Sequence, residues 1–128
     1  MRFVTPTLLL MLLTNIAVAA GICASASSSQ MVEKCLKQET TKADARLNAS
    51  YKAVVGELDR MKKDNPGAEN AKMKLVLAQR AWIQYRDNDC DAVYALHIEG
   101  SLRGVLYSQC VIDRTNRRTD ELDGLMAY

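Results

Sequence analysis

The fold of this chain is decided by residues 78–90, which have the sequence Ala78-Gln79-Arg80-Ala81-Trp82-Ile83-Gln84-Tyr85-Arg86-Asp87-Asn88-Asp89-Cys90. The stretch holds the only tryptophan of the chain, an adjacent tyrosine and arginine, two aspartates and a cysteine, all within about four turns of a helix. It predicts one helix that packs against a core, carries charge into the interior and ends beside a disulfide. This combination indicates a structural element before a catalytic one.

The first 19 residues have the composition of an export signal. Arg2 supplies a positive charge, residues 8–13 form an almost unbroken apolar run, and Ala17-Val18-Ala19 offers the small-x-small pattern of a cleavage site. The apolar run is shorter than the about 20 residues that a membrane span needs. We therefore expect residues 1–19 to be a signal peptide and residues 20–128 to form one mature domain without an integral membrane span.

The expected mature domain is almost electrically neutral. The signal segment contains one basic and no acidic residue, so residues 20–128 carry 16 basic and 15 acidic side chains. Nucleic-acid binding relies on a strong positive field. The charge balance therefore excludes nucleic acid as the main partner.

Three segments place mainly apolar or small side chains at intervals of three and four residues, which is the spacing of one helix face, and the second stripe becomes more polar after Tyr85. The stripes comprise Val32, Leu36, Thr40, Ala43, Leu47, Tyr51, Val54, Leu58 and Met61; then Ala71, Leu75, Ala78, Trp82, Tyr85, Asp89 and Ala92; then Val105, Ser108, Ile112, Thr115, Thr119, Leu122 and Met126. Breaks are predicted at Asp64-Asn65-Pro66-Gly67 and at Glu99-Gly100-Ser101. The sequence predicts an all-α fold, a small antiparallel bundle of about three helices.

All four cysteines follow the expected signal peptide. An even number of cysteines in a small exported domain predicts two disulfides, and hence a periplasmic or secreted protein. Cys90 and Cys110 lie ten residues either side of Gly100, so a chain reversal there would bring them together. Cys23 and Cys35 would then form the second bond, although four cysteines allow three connectivities. His97 is the only histidine and no Cys-x-x-Cys occurs, so we expect neither a metal nor another cofactor.

Polar side chains interrupt the apolar stripes of the first two helices. The predicted structural network comprises Asp44, Asn48, Tyr51, Trp82, Tyr85, Arg86 and Asp87. We expect a bidentate ion pair between Asp44 and Arg86, with Asn48 and Tyr51 completing its hydrogen bonds. The favoured interpretation is that this network fixes the register of the helices. The alternative is that part of it reaches the surface and binds a partner.

The sequence offers no set of catalytic residues. An enzyme needs a positioned nucleophile, a base or a metal, and the cysteines are expected to be oxidised. No Gly-x-Ser-x-Gly, His-Glu-x-x-His or phosphate-binding glycine loop is present. We therefore predict a protein that acts by binding and not by catalysis.

The order of these motifs resembles the LprI-type lysozyme inhibitor domain, a family of exported bacterial proteins. The residues that carry the resemblance are Cys23, Cys35, Ala43-Asp44, Leu47-Asn48, Tyr51, Ala78-Gln79-Arg80-Ala81-Trp82-Ile83, Tyr85-Arg86-Asp87, Cys90, Cys110, Thr115, Arg118 and Leu122. The resemblance covers essentially the whole mature chain. It implies a helical, disulfide-bonded periplasmic or surface protein.

For function, the resemblance implies an inhibitor of lysozyme or a related cell-wall muramidase, which would act by occluding the substrate cleft. An alternative is a periplasmic immunity or accessory protein that binds another effector or envelope protein. The predicted partner-binding residues are His97, Glu99 and Arg103, in the break between the second and third helices, and the Asp64–Gly67 turn is a second candidate.

Overall fold

A computed structural model describes residues 21–127, so the predicted signal peptide at residues 1–19 lies outside the described residues. The elements are α1 (Ser29–Met61), α2 (Ala68–Leu96), α3 (Arg103–Gly124) and a short 3-10 turn (Leu125–Ala127). Within residues 21–127 there is no β-strand, and the predicted all-α fold of three helices is confirmed. None of the helices in this range is sufficiently long and apolar to cross a membrane.

The ends of α1 and α2 follow from local chemistry. Ser28 caps α1, because its hydroxyl accepts a hydrogen bond from the backbone N–H of Met31 at 3.3 Å. Pro66 lies in the turn after α1, and the Asn65 side chain accepts a hydrogen bond from the backbone N–H of Gly67 at 2.9 Å. The predicted break at residues 64–67 therefore separates the two helices.

Consecutive helices run antiparallel, so α1 and α3 run parallel to each other. Contacts between α1 and α3 advance in the same direction along both, from Leu36 beside Ile112 to Arg46 beside Asn116. The α1–α3 interface is the most extensive, and that between α1 and α2 is the smallest. The third helix is consequently the central element of the bundle.

The apolar core has two parts. The larger cluster consists of the buried residues Leu47, Val54, Leu58, Leu75 and Leu122, with Tyr51, Val55 and Trp82 packed against it. The smaller cluster consists of Cys23, Leu36 and Ile112, with Ala26, Val32, Cys35 and Val105 around it. These positions confirm the helical stripes predicted for α1 and, except for the exposed Met126, for α3.

The buried face of α2 differs from the predicted stripe. Leu75 is buried and Trp82 is half-buried as expected, but Ala78 and Tyr85 are exposed. The face is rotated by less than one residue step, because Leu75 and Trp82 belong to both faces while Gln79 and Arg86 take the places of Ala78 and Tyr85. The rotation follows from polar residues that the apolar periodicity does not count. Gln79 is buried and the Arg86 side chain is only 15% exposed, because both find hydrogen-bond partners on α3.

Both predicted disulfides are present. Cys23 bonds to Cys35 and attaches the segment before α1 to that helix, while Cys90 bonds to Cys110 and joins α2 to α3. Cys90 is completely buried. The second bond therefore connects two helices at a fully buried position, whereas the first holds the leading segment against α1 within the smaller core cluster.

A group of exposed charges holds the α1–α2 junction. Lys62 makes ion pairs with Asp59 and Glu69, and Lys72 of α2 contacts Asp59 of α1 at 2.8 Å. The hydrogen bond from Lys62, followed by that from Lys72, holds the pKa of the Asp59 carboxyl below its usual value. A lowered folded-state pKa means that this contribution to stability is present above the unfolded pKa and disappears as acid protonates Asp59.

Replacing Cys90 and Cys110 together by alanine should lower the free energy of unfolding by about 3 kcal/mol from loop-closure entropy, with a further loss from the cavity at the buried Cys90 site. Replacing Cys23 and Cys35 should cost less, because the closed loop is shorter and lies nearer the surface. Urea denaturation of the two double variants and the parent checks the order. A larger loss for the Cys23 and Cys35 variant would contradict this account.

Candidate functional site

Arg86 is the residue at which all three helices meet. Its Nη1 atom lies 3.3 Å from Asp44 Oδ1 on α1 and 3.3 Å from Thr115 Oγ1 on α3. Its Nε and Nη2 atoms lie 2.9 and 2.8 Å from Oδ1 of Asp87, the next residue on α2. One guanidinium therefore connects α1, α2 and α3.

The surroundings of Arg86 make its partial burial tolerable. The guanidinium lies over the Trp82 ring, 5.2 Å from its centroid, and the Thr115 side chain is fully buried beneath it. The carboxylates of Asp44 and Asp87 are 46% and 48% exposed. Because the negative partners remain hydrated, the network avoids most of the desolvation penalty of a fully buried ion pair.

The network differs in detail from the prediction. Arg86 contacts Asp44 through Nη1 alone, so this ion pair is not bidentate as predicted. The Nε and Nη2 atoms of Arg86 contact Asp87 instead. Asn48 is exposed and Tyr51 packs against the apolar cluster; neither donates to or accepts from Arg86. Tyr85 is 53% exposed, with the Arg114 guanidinium 6.0 Å from its ring, so it faces away from the network.

Sequence reasoning missed two further polar links to α3. Arg118 donates to the buried Gln79 at 3.0 Å and to Glu121 at 2.8 Å, while Arg114 donates to Asp89 at 2.8 Å. Gln79 and Arg86 lie seven residues apart, two helical turns along one face of α2. Had polar residues been counted together with apolar ones, that spacing would have indicated that Gln79 and Arg86 share the buried face of α2. These links belong to the scaffold and make no reactive centre.

The chain between α2 and α3 forms the most exposed apolar surface at either end of the bundle. We call residues 96–102 the hairpin tip. Leu96, Ile98 and Leu102 are 80%, 51% and 61% exposed there, and His97 and Glu99 are exposed beside them. Clustered exposed apolar side chains of this kind are typical of protein-binding surfaces.

The hairpin tip is held in shape from below. The Arg103 guanidinium donates to the Tyr94 hydroxyl at 3.0 Å and to the carbonyl oxygens of Gly100 and Ile98 at 3.1 and 3.4 Å. Tyr94 packs edge-on against Tyr107 at a centroid distance of 6.3 Å. The Cys90–Cys110 disulfide joins α2 to α3 next to the tip, so the tip is a conformationally restrained loop that projects from the bundle.

The three predicted partner-binding residues therefore occupy different places. His97 and Glu99 lie on the exposed surface of the hairpin tip, and His97 Nδ1 is 2.9 Å from the Val93 carbonyl oxygen. Arg103 is half-buried and is engaged by the loop backbone. Arg103 therefore positions the loop. The exposed apolar residues around His97, which are Leu96, Ile98 and Leu102, were not predicted from the sequence as binding residues.

A groove of about 840 Å³ lies beside the tip, between the beginnings of α1 and α3. Its lining is mixed, with apolar side chains such as Val32 and Leu102 next to the hydroxyls of Ser27 to Ser29. Within residues 21–127 no three metal-binding side chains come together, and all four cysteines are in disulfides.

Comparison with known proteins places these features in a family. A family model described as "Lysozyme inhibitor LprI" matches residues 23–122, which include both disulfides, Arg86 and the hairpin tip. An uncharacterised protein of Rhizobium meliloti (strain 1021) is 35% identical over 108 residues, covering 81% of this chain and 78% of the relative. The uncharacterised protein YecT of Escherichia coli (strain K12) is 30% identical over 100 residues, covering 72% of this chain and 60% of YecT. No solved structure matches.

Replacing Arg86 by alanine should lower the free energy of unfolding by about 2–4 kcal/mol, because the change removes the packing on Trp82 and leaves the Thr115 hydroxyl without its donor. Asp44→Asn should cost less than about 1 kcal/mol, since Asp44 is half-exposed and its pairing is screened by water. Urea denaturation of both variants provides the comparison. Equal losses would show that the ion pair, and not the buried guanidinium, is the important contact.

Proposed function

The chain belongs to the LprI family of lysozyme inhibitors, and from that membership and its disulfide-bonded fold we propose that it is an exported protein that inhibits a lysozyme or related muramidase. Two disulfides in a domain of this size support an oxidising compartment, either the periplasm or the exterior. Its proposed action is to bind the enzyme without chemistry of its own. The support for inhibition comes from the description of the family. The two relatives described above add nothing to it, since both are uncharacterised.

The observation that supports a specific binding surface is the apolar exposure of the hairpin tip. Ile98 and Leu102 project from a loop whose backbone is bound by Arg103 and whose base is closed by a disulfide. A rigid loop loses little conformational entropy when it binds. Exposed apolar residues on such a loop are suited to act as anchors in a concave partner.

Cleft occlusion is the proposed mode of inhibition. Lysozyme-type glycosidases hydrolyse their substrate with two carboxyl groups in a cleft that accommodates a sugar chain. The hairpin tip is a narrow projection at one end of the bundle, and we assign to it the apolar contacts within the cleft. His97 and Glu99 would supply hydrogen bonds at its rim, and Arg103 would act by holding the loop conformation.

The purified protein should slow the clearing of a suspension of bacterial cell walls by a c-type lysozyme at about micromolar concentrations, the range expected for a small interface. The double variant Ile98→Asp with Leu102→Asp should weaken inhibition at least about tenfold, because each substitution removes an apolar anchor and would bury a charge. Turbidity measurements across a dilution series of inhibitor give the ratio.

Met126→Asp is the matched control, since Met126 is also an exposed apolar residue (40%) but lies beyond the opposite end of α3. It should inhibit as the parent does. Circular dichroism should show the same helical signal for all three proteins. A parent protein that does not inhibit would refute lysozyme inhibition. Equal loss of inhibition in the double variant and in Met126→Asp would refute the assignment to the hairpin tip.

A further inference from the structure

A groove of about 340 Å³ runs along the interface between α1 and α2, which is the smallest helix interface of the bundle. The residues that line it are Asp44, Leu47, Asn48 and Tyr51 of α1 and Val76, Gln79, Arg80, Ile83 and Arg86 of α2. Its volume falls within the range of about 300–1,000 Å³ that is usual for small-molecule sites. The hairpin tip contributes no residue to the groove, so the groove is separate from the surface proposed to bind a muramidase.

Gln79 places an unpaired hydrogen-bond donor at the floor of the groove. The residue is only 8% exposed, and its Oε1 atom accepts from Arg118 Nε at 3.0 Å, which fixes the orientation of the side-chain amide. Its Nε2 atom has no hydrogen-bond partner among residues 21–127, although every fully enclosed polar side-chain atom in that range has one. This nitrogen must therefore open onto the groove that Gln79 lines, where it is positioned to donate to a bound acceptor.

The rest of the groove combines an apolar floor with a polar rim. Leu47 is buried, Val76 is half-buried and Ile83 is 41% exposed, so aliphatic surface surrounds the Gln79 amide. The polar rim consists of the exposed Asn48 and Arg80 and the half-buried Tyr51. Within the described part of the chain, none of these three side chains makes a hydrogen bond or an ion pair. Asn48 and Arg80 therefore belong to the motifs that the sequence singles out, yet neither contributes to the scaffold.

The formal charges around the groove cancel. Arg86 pairs with Asp44 and Asp87, and Arg80 adds a second positive charge at the rim. Two carboxylates and two guanidinium groups leave no net field to attract an ion. The balance favours a neutral polar ligand that can both donate and accept hydrogen bonds.

We propose that this groove binds a saccharide that carries acetamido groups. The carbonyl oxygen of an acetamido group would accept from Gln79 Nε2, while its methyl group would pack against Leu47 and Val76. Ring hydroxyls both donate and accept, and so match the Asn48 amide and the Tyr51 hydroxyl at the rim. A groove of this size has room for about one or two sugar rings. The proposal does not require inhibition of a muramidase, since the sugar binds to this protein alone.

A heteronuclear NMR titration of the purified, oxidised protein tests the proposal. N,N′-diacetylchitobiose should shift the side-chain amide signals of Gln79 and Asn48, with a dissociation constant of about 1 mM, as expected for a small ligand in an open groove. Cellobiose has the same linkage but carries hydroxyls in place of the acetamido groups. It should bind at least about tenfold more weakly, because it lacks the carbonyl and the methyl group that reach the floor.

Two substitutions remove the proposed contacts and keep the scaffold. Gln79→Glu retains an oxygen for Arg118 but replaces the donating nitrogen, so it should weaken the binding of diacetylchitobiose at least about tenfold. Asn48→Ala, at an exposed position, should weaken it by about threefold. The matched controls are Gln38→Glu and Asn88→Ala, which alter exposed residues outside the groove and should bind the sugar as the parent does.

Circular dichroism of each variant checks that the helices are retained, and if Gln79→Glu does not fold, Asn48→Ala and its control give the answer. The proposal would be overturned by an absence of shifts at the groove up to about 10 mM sugar, by equal binding of cellobiose, or by parent-like binding in a folded Gln79→Glu or Asn48→Ala variant. No lysozyme is present in the titration, so its result is independent of the inhibition proposed above.

Discussion

The arrangement of the three helices depends on the guanidinium of Arg86. Among the hydrogen bonds and ion pairs of residues 21–127, it is the one side chain that joins its own helix, α2, to both α1 and α3, through Asp44 and Thr115. Apolar packing stabilises the bundle but is non-directional, so similar burial can be reached with a helix rotated or shifted. A planar guanidinium with partners on each helix permits little rotation or shift of any helix. Removing one member of the network would leave the polar groups of the others unsatisfied.

The scaffold and the proposed binding surface are separate parts of the molecule. The Arg86 network and the Gln79–Arg118 link join the helices within the bundle, and the Cys90–Cys110 bond closes α2 onto α3. The hairpin tip projects beyond them and exposes Leu96, Ile98 and Leu102. A residue such as Ile98 can therefore vary without disturbing the core, whereas Arg86 cannot.

Much of the fold and part of the site were predictable from the sequence. The three helices, the breaks at residues 64–67 and 99–101 and both disulfides follow from periodicity, breaker residues and cysteine spacing. The orientation of α2 did not follow, because an apolar count assigns Tyr85 and Ala78 to the interior and omits Gln79. The exposure of Ile98 and Leu102, and the inward engagement of Arg103, also did not follow. Whether an apolar or charged residue is covered depends on its neighbours in space.

The sequence by itself determined which segments are helical, where they end and which family the chain resembles, because these properties are set by local spacing and by ordered motifs. Only the tertiary structure decided which face of α2 is buried. Gln79 and Arg86 are satisfied by Arg118 and Thr115, which lie 39 and 29 residues away along the chain. The same long-range choice leaves Leu77 and Tyr85 on the outside of the bundle. Pairing between distant polar groups therefore set the rotation of α2.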